Sequence, residues 1–308
     1  MALPAEVKEL AARVRNWGRW GDDDEIGTLN LITDEVVKAA AGEIKTGKRL
    51  ALGIPMDEHG PQTGAMPGRE NPKREMVLID QPLTGDPSEF TTSDDKVTMG
   101  IQACTHWDAL AHVSYEGKLY NGVPSSVITE AGASRMGIDK VKTLVGRGVL
   151  LDVPKAKGVQ RLDGGYAVTA GDLDAASEMG NVDVRSGDIV LLRTGWMQHF
   201  LGGDRQAYGV PSPGPSLQTV QWFRDHDVAA VATDNITFEV YPSEREDAML
   251  AIHLLHLVDM GMTQGQNWNF EELAADCADD GRYSFFLDAS PLPFTNAVGS
   301  PVNPIVIK

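Results

Sequence analysis

Three short runs of almost uninterrupted apolar residues constrain the fold more than anything else in this chain: Val149-Leu-Leu-Asp-Val153, Asp188-Ile-Val-Leu-Leu-Arg193 and Val228-Ala-Ala-Val-Ala-Thr233. A strand with one face in water alternates apolar and polar residues, so runs without alternation belong to strands covered on both faces. Between them lie helix signals. Thr169-Ala-Gly-Asp opens one helix with a capping threonine or aspartate, and Ser216 to Asp225 forms another. Strands separated by helices require crossover connections, which predicts an α/β architecture.

The flanking segments add detail. Residues 4–16 carry Val7, Leu10, Ala11 and Val14 on one helical stripe, and a loop dense in glycine and acids, Trp17 to Asn30, leads to Thr33-Asp34, a cap for a helix over Glu35–Ile44. Lys48 to Pro55 reads as a strand. Asp57 to Arg74 holds too much proline, glycine and charge for regular structure, and a loop of that length is expected to be functional or to bridge subunits. In Lys96 to Gln102 the alternation of Val97, Met99 and Ile101 predicts a strand with its apolar face on the core. Tyr115 to Gly122 reads as a hairpin or turn, Glu244 to Met260 as a helix with His253 and His256 on one face, and Phe285–Leu287 and Val306 as late strands. No repeat, low-complexity tract or composition break marks a linker. The expectation is one domain over residues 1–308, with an N-terminal helical and loop arm over about 1–45.

Charge narrows the partners. Lys and Arg number 27 against 44 Asp and Glu, a formal charge of −17, so the surface field repels phosphate backbones and anionic membranes. Nucleic acid and membrane are not expected as partners, and an anionic substrate has to be drawn in by a local feature. The first residues lack a basic segment followed by an apolar run, and no window approaches the roughly 18 apolar residues of a membrane span, so a cytoplasmic location is expected. Cys104 and Cys277 stand far apart without a Cys-x-x-Cys, which argues against both a disulfide framework and a cysteine zinc site.

The chemistry concentrates in Gln102-Ala-Cys-Thr-His-Trp-Asp-Ala-Leu-Ala-His112. If this stretch is extended, Gln102, Cys104, His106, Asp108 and His112 share one parity and one face. A nitrogen and an oxygen donor separated by one residue can grip an ion from one side, with the second histidine placed to act on whatever the ion binds. Two polar positions lie elsewhere. Thr194-Gly-Trp196 closes one of the buried strands, as polar residues facing a site often do, and Trp17 and Trp20 are placed to wall a pocket or to plug the core edge. Gly-x-Ser-x-Gly and His-Glu-x-x-His are both absent, and Gly42 to Lys48 has phosphate-loop glycine spacing but carries Arg49 where a magnesium-binding hydroxyl belongs.

Thr105 to His112 resembles the metal motif of the cyclase family, which includes bacterial kynurenine formamidase and isatin hydrolase and is usually written His-x-Gly-Thr-His-x-Asp-x-Pro-x-His. Here Gln102 replaces the first histidine, Cys104 the glycine and Leu110 the proline. Trp17 to Gly21, Gly27 to Asn30, Gly187 to Trp196 and Phe285 to Pro304 also agree with the longer branch of that family. The resemblance implies a swivelling α/β domain of β/β/α type with a mixed sheet, homodimeric or higher in assembly. It further implies metal-dependent hydrolysis of a cyclic or acyl amide, lactone or related small molecule. His106 and Asp108 match the family's ligands, Gln266 and Gln102 stand at positions of two more, and His253 is an extra ligand or a group supporting one. His112 matches the general base. Trp17, Trp20, Trp107, Thr194 and Trp196 are the pocket candidates. With an imidazole and a carboxylate replaced by amides, one divalent ion is expected, manganese preferred and zinc the alternative. The rival expectation is a non-catalytic small-molecule-binding protein on the same scaffold.

Overall fold

The computed structural model describes residues 3–308, and its centre is a nine-stranded mixed sheet. In spatial order the strands are Arg49–Ala51, Ile305–Ile307, Ser284–Asp288, Val145–Asp152, Ile189–Arg193, Ala230–Thr233, Thr263–Gln266, His106–Asp108 and Gly299–Pro301. The three apolar runs are the inner strands. They lie parallel to one another and to Thr263–Gln266, while the pairs on either flank are antiparallel. Helices Ala170–Met179 and Leu217–Asp225 fill the first two crossovers, and a helical segment ending at Met260 fills the third.

Ile189, Val190, Leu191 and Leu192 are all fully buried. Each such side chain contributes about 1.5–3 kcal/mol of hydrophobic stabilisation, which is why the run cannot sit at a solvated edge. The N-terminal helix Ala5–Val14 buries Val7, Leu10, Ala11 and Val14, the stripe that its spacing predicts. Thr169 caps its helix with a reciprocal pair: its hydroxyl accepts from Asp172 N at 3.2 Å, and Asp172 Oδ2 accepts from Thr169 N at 2.9 Å.

Two expectations fail, both because local pattern does not say what will lie opposite. The strand foreseen over Lys96–Gln102 is instead Thr91–Thr98, paired with Lys73–Pro82 in a separate hairpin that stands in solvent. Val97 is 57% exposed there, so its parity faces no core. The motif is consequently not one extended run. Only His106–Asp108 is strand, preceded by a turn in which Ala103 N donates to Gly100 O and followed by one in which His112 N donates to Ala109 O.

The helix foreseen over Glu244–Met260 starts only at Ala251, because the buried carboxylate of Glu239 accepts from Ile252 N and His253 N at 3.2 and 2.9 Å and fixes the N-terminus there. From Leu254 to Met260 it continues as π-helix. Helix Glu271–Asp280 and strand Thr263–Gln266 were not foreseen. Among the described residues, no helix is long and apolar enough to cross a membrane.

Candidate active site

Strand register builds the site. His106–Asp108 is sandwiched between Thr263–Gln266 and Gly299–Pro301, with Gln266 opposite His106, and Gln264 and Gly299 opposite Asp108. Because side chains alternate across a pleated sheet and directly opposed residues share a face, His106, Asp108, Gln264 and Gln266 project together. Trp107 and Gly265 point the other way. A Cβ on Gly265 would sit 2.6 Å from Trp268 Nε1 and 3.0 Å from the Trp107 ring, so only glycine admits those two indoles beneath the site.

Asp108 is the centre of the constellation and is fully buried. Its Oδ2 accepts from Gln266 Nε2 at 2.9 Å, with Gln264 Nε2 at 3.4 Å, and its backbone carbonyl accepts from the Thr263 hydroxyl. Among the described residues its Oδ1 has no hydrogen-bond partner, and the Nε2 atoms of His106 and His112 stand 3.5 and 3.6 Å from it. Burial alone would raise the Asp108 pKa, but in acid the protonated rings of His112 and His106 outweigh it and hold the carboxyl well below the usual carboxylate range. His112 moves down from the ordinary histidine value, chiefly by burial, with Asp108 opposing. A neutral imidazole therefore faces an ionised carboxylate.

The tautomer of His106 is settled by its neighbour. Nδ1 donates to Cys104 O at 2.7 Å, which leaves the Nε2 lone pair on the Asp108 side, where it has no partner among the described residues. Cys104 O also accepts from Asn267 Nδ2 at 3.2 Å, and the Thr105 hydroxyl accepts from Ile54 N at 3.0 Å while donating to Asn267 O at 2.6 Å. The turn before the strand is thus pinned on both sides. Burial pushes the Cys104 thiol up to about 12, so it is not a thiolate near neutrality.

His253 arrives from the first turn of its helix. Nδ1 bonds Glu239 Oε1 at 2.7 Å, and Nε2 stands 3.4 Å from Gln266 Nε2. A carboxylate accepting Nδ1–H turns the Nε2 lone pair toward the site. The π-helical turns that follow leave carbonyls for the N-terminal arm: Trp17 Nε1 donates to Val258 O at 2.7 Å and Asn16 Nδ2 to Met260 O at 2.9 Å.

The other residues singled out in the sequence fall in mixed places. Gln102 lies beside the site, its buried Nε2 without a partner and 2.6 Å from where a Cβ on Gly299 would be, so Gly299 makes room for it opposite Asp108. Trp107 is a correction: strand alternation sends it into the core, edge-on to Trp268, with its N–H donating to Ala289 O at 2.8 Å. Trp17 packs on the cluster of Leu110, Ala111 and Tyr120, and Trp20 lies under the Arg19 guanidinium. Trp196 belongs to a cluster with Ala103, Cys104 and Tyr208, while Thr194 donates to Asp234 Oδ1 at 2.6 Å. Gln266, expected as a ligand, turns its amide nitrogen to Asp108 and His253, which makes it a bridge between them. Glu239 and Gln264 were missed. Glu239 precedes His253 by 14 residues in an irregular segment and carries no local pattern, while Gln264 was legible only as the i−2 neighbour of Gln266 on an unrecognised strand.

The donor set can be tested for a metal ion. Two ligand atoms each about 2.1 Å from one ion at tetrahedral angles lie roughly 3.4 Å apart, and the orphaned Nε2 of His106 and Oδ1 of Asp108 are separated by 3.5 Å. Those two atoms fit. Among the described residues, however, no three His, Cys, Asp or Glu side chains form a group able to enclose an ion. Any further protein donors would have to be amides.

Comparison with known proteins places the fold. The Cyclase family model matches residues 28–240. A crystal structure of a novel cyclase is 40% identical, with a TM-score of 0.87 over 96% of this chain and 99% of that one. An isatin hydrolase bound to the product analogue thioisatinate shares the fold at 18% identity and a TM-score of 0.60, over 87% of this chain and 94% of that one. A potential metal-dependent hydrolase with cyclase activity shares it at 18% identity and 0.52, over 84% and 96%. No curated protein matches the chain. With the family model covering most of the sequence and a 40% identical relative matching nearly end to end, the chain belongs to the cyclase family.

Proposed function

We propose that the chain is a hydrolase of a small acyl compound, a cyclic or acyl amide, a lactone or a related molecule, with His106 and Asp108 holding one divalent ion and His112 as the general base. The observation that carries this reading is the pair of buried, unpartnered atoms His106 Nε2 and Asp108 Oδ1, with the His112 imidazole 3.6 Å from the second. Buried polar atoms without partners are costly, so their convergence points to something that binds between them. A bound dication would polarise the scissile carbonyl and acidify a water molecule.

The chain's own residues divide the remaining work. Gln266 and Gln264 hold Asp108 by Oδ2 and so leave Oδ1 free. Glu239 fixes His253, which supports Gln266. His112, kept neutral by burial, takes the proton from the attacking water and returns it to the leaving group. The solved structures of an isatin hydrolase and of a potential metal-dependent hydrolase lend support to the reaction class. Manganese is the preferred ion, with zinc the alternative, because one imidazole beside a carboxylate and bound water leaves oxygen donors in the majority. The setting proposed is cytoplasmic and the assembly a homodimer.

One observation favours a second reading, a binding protein without catalysis: among the described residues no group of three strong donors encloses an ion. Elemental analysis of purified protein, together with hydrolysis of a panel of lactones and cyclic amides under added manganese or zinc, separates the two. Metal and turnover lost together in Asp108→Ala, and kept in Lys118→Ala, are the expected result. Protein that takes up no ion and hydrolyses nothing overturns the hydrolase reading.

A further inference from the structure

The loop over 57–74 is laid against the motif rather than left in solvent. Gln62 Nε2 donates to Ala103 O at 2.8 Å, Gly100 N donates to Glu70 O at 2.9 Å, and Arg205 Nη2 ties down Gln62 O at 2.8 Å. Arg69 lies at the closest approach. Its Cα is 3.2 Å and its Cγ 3.3 Å from where a Cβ on Gly100 would sit, so glycine at 100 lets the arginine pack down on the chain that leads into Gln102.

Arg69 is half-buried, and among the described residues no carboxylate lies within 4.0 Å of its side chain. Arg15, Arg147 and Arg193 each have a carboxylate oxygen within 2.9 Å. Gly100 stands two residues before Gln102, so Arg69 packs beside the segment that carries the site, close enough for its charge to act on Asp108 and His112. Burial lowers its pKa, with the more distant charge of Asp108 opposing. In a molecule of net charge −17, a fixed cation at this position is the local feature able to draw in an anion.

We infer that Arg69 is the anion-binding residue of the site, and that its substrate carries a carboxylate in addition to the acyl group that is cleaved. A guanidinium presents its N–H donors as a planar fork that matches a carboxylate in two parallel hydrogen bonds, which fixes orientation as well as charge. This rests on the proposed hydrolase reading for the word substrate, but not for the binding itself.

Isothermal titration with glutarate and with its half-amide glutaramate, in the presence of manganese, tests it. Each probe has one carboxylate for an ion, and they differ only in the second. Wild type is expected to bind glutarate at least about tenfold more tightly, the preference to vanish in Arg69→Ala, and Arg69→Lys, which keeps the charge but loses the fork, to restore part of it. Circular dichroism and metal content check that the variants fold and load alike. Equal affinity of wild type for both probes, or a preference that survives in Arg69→Ala, overturns the inference. Arg69-dependent glutarate binding by protein that hydrolyses none of the lactone and cyclic amide panel would sink the hydrolase reading alone, whereas equal kcat/KM on neutral and carboxylated substrates would sink the role of Arg69 alone.

Discussion

Gln266 holds Asp108 by one oxygen only: its amide nitrogen donates to Oδ2 at 2.9 Å, and Oδ1 is left without a partner among the described residues. Replacing that donor by a carboxylate reverses the interaction. Gln266→Glu places two carboxylates side by side in a buried site, which costs on the order of 3 kcal/mol unless a proton or a cation intervenes. The variant is expected to melt several degrees below wild type when metal-free and to regain that loss with manganese, because the added charge strengthens binding of a second ion. Thermal melts with and without manganese, read beside titration of metal-free protein, check both halves. Two tight sites of similar affinity per wild-type chain would contradict the single-ion proposal.

His112 stands apart from the atoms that are oriented by hydrogen bonds. Its Nδ1 has no partner among the described residues, and its side chain is more accessible than those of His106 and His253, at 17%. It is therefore placed to exchange protons rather than to be locked as a ligand. His112→Ala is expected to keep its metal and to lose roughly 10²–10⁴-fold in kcat. Elemental analysis alongside steady-state kinetics gives the answer, and metal lost together with activity would make His112 a ligand.

His256 is fully buried between the rings of Phe223 and Phe238, with neither nitrogen hydrogen-bonded among the described residues. Desolvation first, and His253 second, push its pKa down to about 3. The sign follows from linkage: the unfolded chain binds a proton near pH 6.5 that the folded chain refuses, so this stability is present above pH 6.5 and is lost as pH falls toward 3, at about 1.4 kcal/mol per unit. Asp188 and Asp234, both pushed up to about 6 by burial, act in the opposite direction over pH 4–6. Urea unfolding of wild type and His256→Leu at pH 7.5 and 4.5 isolates the histidine. The variant is expected to lose less stability than wild type on acidification, by a few kcal/mol.

The hairpin of Lys73–Pro82 and Thr91–Thr98 packs chiefly on itself and exposes Val77, Ile79, Leu83, Phe90 and Val97, each more than half accessible. A lone two-stranded hairpin is at best marginally stable in water. The same patch on a second copy of the chain, related by a two-fold axis, would cover it in the proposed homodimer. Sedimentation velocity is expected to show a dimer for wild type and a monomer for Ile79→Asp combined with Phe90→Asp. A wild-type monomer, or a dimer indifferent to both changes, would place the interface elsewhere or nowhere.

What the sequence determined is what rests on local pattern and on burial. Runs such as Ile189 to Leu192 can lie only in a covered sheet, and their separation by capped helices makes that sheet parallel at its centre. His106 and Asp108 share a face because strand periodicity leaves no alternative. The same alternation misled at Val97, where a strand forms but no second surface covers it. Tertiary structure decided the rest, because cross-strand register is set by packing between segments far apart in the chain. Gln266, 158 residues beyond Asp108, reaches it only because Thr263–Gln266 docks antiparallel with Gln264 opposite that aspartate. Glu239 finds His253, and the Arg69 loop settles on Gly100, by the same long-range packing, which leaves no signature in the identities or spacing of those residues.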